Sequence, residues 1–181
     1  MSQPLDYLVA EHDCLRSLCG ILEHLADADD MDLADVDAAL AYLRNDWPLH
    51  LADESEDLFP LLLRRCKPAD EVKPLVAQLD AEHGTQVRLG RRVISGLAAR
   101  VASRRPGGAP PGLRSLLTRF AQRERRHLAV ETGILIPIAR ARLRAADRSR
   151  LTQHMAKRRA IPLPPARGKT IGDNGKAESR S

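Results

Sequence analysis

HLADESEDLFP at residues 50–60 and HLAVETGILIP at residues 127–137 are one pattern written twice: His-Leu-Ala, then Glu four after the His, Leu eight after and Pro ten after. Each copy follows a segment with a Glu-His pair, Glu11-His12 before the first and Glu82-His83 before the second. Chain order is therefore His, then His-x-x-x-Glu, twice over. Duplication of this kind fits two similar helical hairpins packed about a pseudo-twofold axis. Packed so, they bring His12, His50, Glu54, His83, His127 and Glu131 together.

The spacing carries a chemistry. Residues i and i+4 share a helix face with their Cβ atoms about 5–6 Å apart, so His50 and Glu54 can reach one centre, and so can His127 and Glu131. Imidazole nitrogen with carboxylate oxygen is a ligand set that suits iron, manganese or zinc. Two carboxylates on opposite helices can each bridge two ions, with the four histidines as terminal ligands, and bundle cores are a known place for such sites. A single His-x-x-x-Glu is common by chance. Four histidines and two glutamates on apolar faces are another matter, because buried polar groups without partners are costly.

Outward from the repeat, apolar residues recur at helical spacing. Leu5, Leu8, Val9, His12, Leu15, Leu18, Cys19 and Leu22 define a first helix, from about Pro4 to Leu25, which the acidic run Asp27 to Asp32 ends. A second, about Leu33 to Arg65, contains Val36, Leu40, Leu43, Trp47, Leu51 and Leu58, with a kink expected at Pro48 and an irregularity at Pro60. A third runs from about Ala69 to Ser103, where the 104–108 stretch breaks it. A fourth runs from about Pro111 to Arg144, bent at Pro137. Four long helices with short connections describe an all-α, antiparallel up-down four-helix bundle over residues 1–145. Residues 146–181 are read as a short helix to about Arg159, then a basic, largely disordered tail rich in Pro, Gly, Lys and Ser.

Composition agrees. Aromatics make up only 3% of the 181 residues, so the core is aliphatic and helical. From Arg140 onward there are 12 Lys/Arg against 3 Asp/Glu, and the preceding residues hold 17 against 21, so the net charge of +5 comes from the C-terminal stretch. Such a stretch can touch polyanions, but it lacks the aromatics that stack on bases, so nucleic acid is disfavoured and a solvating tail preferred. No segment reaches the roughly 18 apolar residues of a membrane span, and Met1 to Glu11 does not resemble a signal peptide. A soluble cytoplasmic protein without a membrane partner is expected. Cys14, Cys19 and Cys66 lack a C-x-x-C spacing and are read as buried, inert thiols. Asp46 and Glu82 are candidate acceptors for ligating imidazoles, with solvated acids as the plainer alternative. Glu56, Asp57, His24 and His154 are read as surface residues. Trp47 and Phe59 could shield the cluster or simply pack.

The order His12, His50-x-x-x-Glu54, His83, His127-x-x-x-Glu131, with Leu58-Phe59-Pro60 and Leu135-Ile136-Pro137 after each Glu, resembles the hemerythrin-like (HHE cation-binding) domain over about residues 5–145. The resemblance implies two non-haem iron ions bridged by the carboxylates of Glu54 and Glu131. Oxygen-carrying hemerythrins have a further histidine four residues after the third-helix ligand, where this chain has Val87. The ligand set is therefore similar to the four-His, two-Glu version of bacterial proteins of iron–sulfur cluster repair and nitric oxide response, and it leaves a coordination position open. Expected from this is a protein that binds or senses a small oxidant: oxygen, nitric oxide or peroxide. The alternative is an iron storage, donation or sensing module, cluster repair included, without turnover. A ferritin-like site needs Glu-x-x-His on two helices. Glu124-x-x-His127 supplies one, and no second exists.

Overall fold

The computed structural model describes residues 3–103 and 106–160. Among them there is no strand. Helix α1 spans Pro4–Asp27, with Pro4 at its first turn and Asp6 near its positive end. A second arm is built from α2 (Leu33–Asn45), α3 (Trp47–Ala52), a widened turn at Asp53–Leu58 and α4 (Phe59–Arg65). The Asp32 carboxylate caps α2 by accepting the Ala34 N–H at 2.8 Å. Helix α5 (Val72–Ser103) is the third arm. The fourth is α6 (Pro111–Val130), a second widened turn at Glu131–Leu135 and α7 (Ile136–Arg142). A fifth helix, α8 (Ala145–Arg158), packs back on the bundle.

Three expectations change in detail. The break at Pro48 separates α2 from α3. Residues 68–70 form a single 3₁₀ turn rather than the start of the third helix, and Glu71, at φ 47°, divides that turn from α5. The fourth arm stops at Arg142, not Arg144. The expected tail from residue 161, and Arg104 and Arg105 in the expected break, lie outside the described residues.

Each arm's apolar face is interrupted once. Leu15 to Ala26 of α1, most of α2, the later half of α5 and the first half of α6 make one core cluster. Leu5 and Leu8, α4, Val72 to Leu79, α7 and the α8 residues Leu151 and Met155 make another. His12, His50, His83 and His127 fall between the two, at the break in each arm. The polar layer is thus sealed above and below by aliphatic packing.

Trp47 closes the larger cluster, edge-on to Phe120 with ring centroids 5.4 Å apart. It lies so close to α5 that a Cβ on Gly90 would sit 2.6 Å from its ring. Gly90→Ala is therefore expected to destabilise by about 1 kcal/mol net. Overpacking costs about 1–3 kcal/mol, and the better helix propensity of Ala returns about 1. Gly112, with open space around it, is the control that should gain from the same change. A Gly90→Ala denaturant midpoint at or above wild type would show that the indole moves aside.

The basic residues up to 160 are not a free tail. Arg140 pairs with Asp6 at 2.6 Å, Arg142 with Asp70 at 2.5 Å, and Arg158 and Arg159 with acids of α1 and the second arm. Asp57, expected on the surface, is buried beneath Arg158 and His154. His24 and Glu56 are exposed as expected, and His154 is half-exposed. Of the cysteines, Cys19 is buried, its thiol pushed up to about 12 chiefly by burial, while Cys14 is exposed and Cys66 half-buried. No described helix is long and apolar enough to cross a membrane.

Candidate metal centre

The widened turns explain why the two halves of the repeat end in proline. The Glu54 carbonyl accepts from the Phe59 N–H and the Glu131 carbonyl from the Ile136 N–H, five residues on instead of four. Pro60 and Pro137 follow at once. A proline ring inside a regular helix collides with the carbonyl four residues back, and a wider turn relieves that collision. Turns of this kind recur at functional sites. Here they sit on the two glutamates.

All six repeat residues are at most 4% exposed, and both Glu54 and Glu131 are fully buried. Glu54 lies 3.5 Å from His12 Nε2, 3.4 Å from His50 Nε2 and 3.5 Å from His83 Nε2. Glu131 lies 3.1 Å from His127 Nε2, 3.6 Å from His12 Nε2 and 3.9 Å from His83 Nε2. Their atoms form two overlapping groups, His12–His50–Glu54–Glu131 and Glu54–His83–His127–Glu131, each with one ligand atom per residue within 4.8 Å of the others. The two carboxylates belong to both groups. The histidines sort by hairpin, one pair from each.

The outward ring nitrogens are all taken. With Nε2 turned inward, Nδ1–H is the donor, and it meets Thr132 Oγ1 at 2.8 Å from His12 and Ser55 Oγ at 2.8 Å from His83. The same atom meets Glu11 Oε2 at 3.3 Å from His50 and Glu82 Oε2 at 2.8 Å from His127. This is how ligating imidazoles are held: the outer partner fixes both tautomer and ring plane. The pseudo-twofold extends to these partners. Each Glu preceding a first or third arm histidine serves the histidine of the next arm, and the hydroxyl following each buried glutamate serves the remaining two.

Glu82 is therefore an acceptor, but for His127 across the bundle and not for its chain neighbour. Asp46 is exposed, and Glu11 takes the role expected of it. Ser55 and Thr132 were not singled out by the sequence reading. Their signal was the hydroxyl following the glutamate in both copies. Phe59 stacks on His83 with centroids 5.4 Å apart and planes 22° apart, whereas Trp47 packs away on Phe120.

The electrostatics of the metal-free cluster follow from its geometry. Burial would depress the His50 imidazole, but Glu54, Glu11 and Glu131 outweigh it and raise the pKa to about 9. For His127, burial is likewise outweighed by Glu131 and Glu82, and the pKa rises to about 10. Burial pushes the Glu54 carboxyl up, yet the imidazoles of His50, His12 and His83 hold it well below the ordinary range. Orphaned inward atoms remain: Nε2 of His12 and His50 and all four oxygens of Glu54 and Glu131 lack a hydrogen-bond partner. Buried imidazole and carboxylate atoms that face one another at 3–4 Å are the donor set that a cation would complete.

Glu124 is a seventh buried polar residue in the neighbourhood, 1% exposed, with both oxygens unpartnered. Burial raises its pKa against the pull of His127 and His50. A groove of about 700 Å³, lined among others by Trp47, Leu51, Ser55 and Val87, reaches His83 from solvent. Val87, the position of the missing histidine, is part of its wall.

An uncharacterized protein of Haemophilus influenzae is 26% identical over 166 residues, covering 88% of this chain and 92% of its own. The Hemerythrin HHE cation binding domain matches residues 3–139. That span takes in both hairpins and every residue of the buried cluster. The chain belongs to the hemerythrin HHE cation-binding domain family.

Proposed function

We propose that this protein holds two non-haem iron ions and binds or senses a small oxidant such as oxygen, nitric oxide or peroxide. His12 and His50 would serve one ion, His83 and His127 the other, with Glu54 and Glu131 shared by both. The observation that carries this reading is the sharing itself: two pairs of inward Nε2 atoms flank two carboxylates that belong to both groups. Iron bound there would supply redox chemistry and open coordination. The chain's own residues fix the imidazoles, exclude bulk water through the aliphatic layers on either side, and leave a groove to His83 for a small molecule.

The bundle is read as antiparallel, supported by a core cluster that joins the start of α1 and α5 to the end of the second and fourth arms. A cytoplasmic setting is supported by three free thiols, one of them exposed.

Elemental analysis of protein purified without added metal tests the centre. About two irons per chain are expected, lost in the His50→Ala/His127→Ala double variant. No metal in the wild type, even after anaerobic reconstitution with ferrous iron, would make the cluster a set of polar core residues. Reduced, loaded protein mixed anaerobically with each oxidant should change its absorption spectrum with at least one. Silence with all three would remove the oxidant reading and leave the centre standing.

A further inference from the structure

The hemerythrin match ends at residue 139, but the fold does not. Helix α8 is fixed at its start by Asp147, which caps it through the Arg144 N–H at 3.0 Å and pairs with Arg65 at 2.8 Å. Along its length Leu151 and Met155 are fully buried. A helix anchored in this way delivers its last residues to a fixed place.

That place is the outer layer of one half of the centre. Arg159 is 9% exposed at its side chain, and a buried guanidinium is tolerated only when its charge is matched. Its Nη2 donates to Glu11 Oε1 at 2.7 Å, and its Nη1 lies 2.6 Å from Asp53 Oδ2. The aromatic face of Tyr7 lies 5.0 Å from its Cζ. Glu11 immediately precedes His12 in sequence, Asp53 immediately precedes Glu54, and the second oxygen of Glu11 holds His50 Nδ1. One guanidinium thus ties together two arms at the residues next to the cluster.

The pseudo-symmetric position has no such tie. Among the described residues, Glu82 accepts from His127 and from the Gln78 amide at 2.9 Å, and no guanidinium pairs with it. Its side chain is 30% exposed, beside a pocket of about 140 Å³ that Gln86, Arg123 and Arg126 also line. Where the first copy has Asp53, the second has Val130. The repeat is symmetric in its inner residues and in the groups that hold their Nδ1 atoms, and asymmetric beyond those.

We propose that Arg159 is a positioning residue for His50, acting through Glu11, so that the C-terminal helix makes the His12/His50 half of the centre the slower to exchange. The inference rests on the two-ion reading above. A buried guanidinium that bridges Glu11 and Asp53 fastens the Glu11 carboxylate to the second arm through a charge-assisted hydrogen bond, and that carboxylate fixes the imidazole plane. On the other half, Glu82 is partly exposed and is held by Gln78 and His127 without a guanidinium.

The test is release of iron from the loaded full-length chain to an excess of chelator, followed in time. Wild type should release its iron in two phases of similar amplitude. Arg159→Ala should speed the slower phase by about tenfold or more, the scale of losing an outer-layer partner, and leave the faster one alone. Glu11→Gln should do the same. Because the two residues act in one chain of contacts, the double variant should be no faster than Glu11→Gln. Arg159→Lys keeps the charge and the docked helix but not the two-pronged contact, so it should fall between. A role confined to fold stability would speed both phases together in Arg159→Ala and leave Arg159→Lys like wild type. That result overturns the inference, as does multiplication of the two single effects in the double variant. A wild-type chain that holds two irons with release untouched by either Arg159 change sinks this inference alone. A wild-type chain that holds none sinks the reading beneath it as well.

Discussion

Glu54→Ala should empty both halves of the centre, where His50→Ala should empty chiefly one. The difference lies in the contacts: Glu54 stands within 3.5 Å of His12, His50 and His83, residues of both groups, whereas His50 belongs to one. On the proposed two-ion reading, losing a terminal imidazole leaves the other ion with two histidines and two carboxylates. Losing Glu54 leaves two pairs of histidines sharing only Glu131, and four imidazoles around a single buried carboxylate. Iron content is expected to fall from about two per chain to nearly none in Glu54→Ala, and to about one in His50→Ala. The fold should register the same difference. Free metal at about one hundred times its dissociation constant stabilises a folded chain by about 2.7 kcal/mol per site, so ferrous iron should raise the melting temperature of wild type and not of Glu54→Ala. If Glu54→Ala kept one full ion and an iron-dependent melting temperature, Glu54 would be a terminal ligand of one ion and not a shared one.

What was readable in the sequence, and what was not, divides along the same line between inner and outer residues. His12, His50, Glu54, His83, His127 and Glu131 are readable because ligand geometry is periodic. An i, i+4 pair is a fact about a helix, and two copies of it with matching flanks point to one shared cluster, while how the histidines pair is left to the fold. The four interruptions of the aliphatic faces are readable for the same reason. The outer partners are legible only in part, because they cross between arms. Glu82 is legible as an acceptor but not as the one that serves His127, and for His50 the helix periodicity points to Asp46 where Glu11 serves, contacts between residues 45 and 39 apart in sequence.

Charge shows the limit most clearly. As composition, the basic stretch after Arg140 reads as a solvated tail. In the fold, Arg142, Arg158 and Arg159 each answer particular acids: Asp70; then Asp53, Glu56 and Asp57; then Glu11 and Asp53. Asp57 reads as a surface acid near Glu54, yet it and Asp53 are both buried. They are buried because α8 brings arginines to cover them, and nothing in the local sequence says which helix will do so. Glu124 is a third kind of case. Its partner in sequence, His127, was visible, but as a chance match to a different carboxylate site. Its full burial without a hydrogen bond is a tertiary fact.

The buried imidazoles also make the stability that metal adds depend on pH. In the metal-free chain the pKa values of His50 and His127 are raised to about 9 and about 10, against about 6.5 in an unfolded chain. A group whose folded pKa is raised contributes stability that is fully present below its unfolded pKa and lost as pH rises through its folded one. The metal-free protein should therefore become less stable between about pH 6.5 and pH 10. On the acid side, the depressed Glu54 carboxyl contributes stability present above the ordinary carboxylate range and lost as pH falls below that range through its lowered pKa. Ligation removes the first of these trends. A metal-bound Nε2 cannot carry a proton, so the loaded state favours deprotonated rings, and its extra stability grows as pH rises. Melting curves at pH 6 and pH 9, with and without ferrous iron under anaerobic conditions, should show iron-dependent stabilisation that is small at the lower pH and large at the higher. At pH 7 both raised imidazoles are protonated in the metal-free chain, so loading should release about two protons, measurable in weakly buffered solution. Loading without proton release, together with metal-free stability that climbs from pH 6.5 to pH 9, would mean that His50 and His127 are neutral in the empty site. The carboxylates would then be balanced by something other than imidazolium.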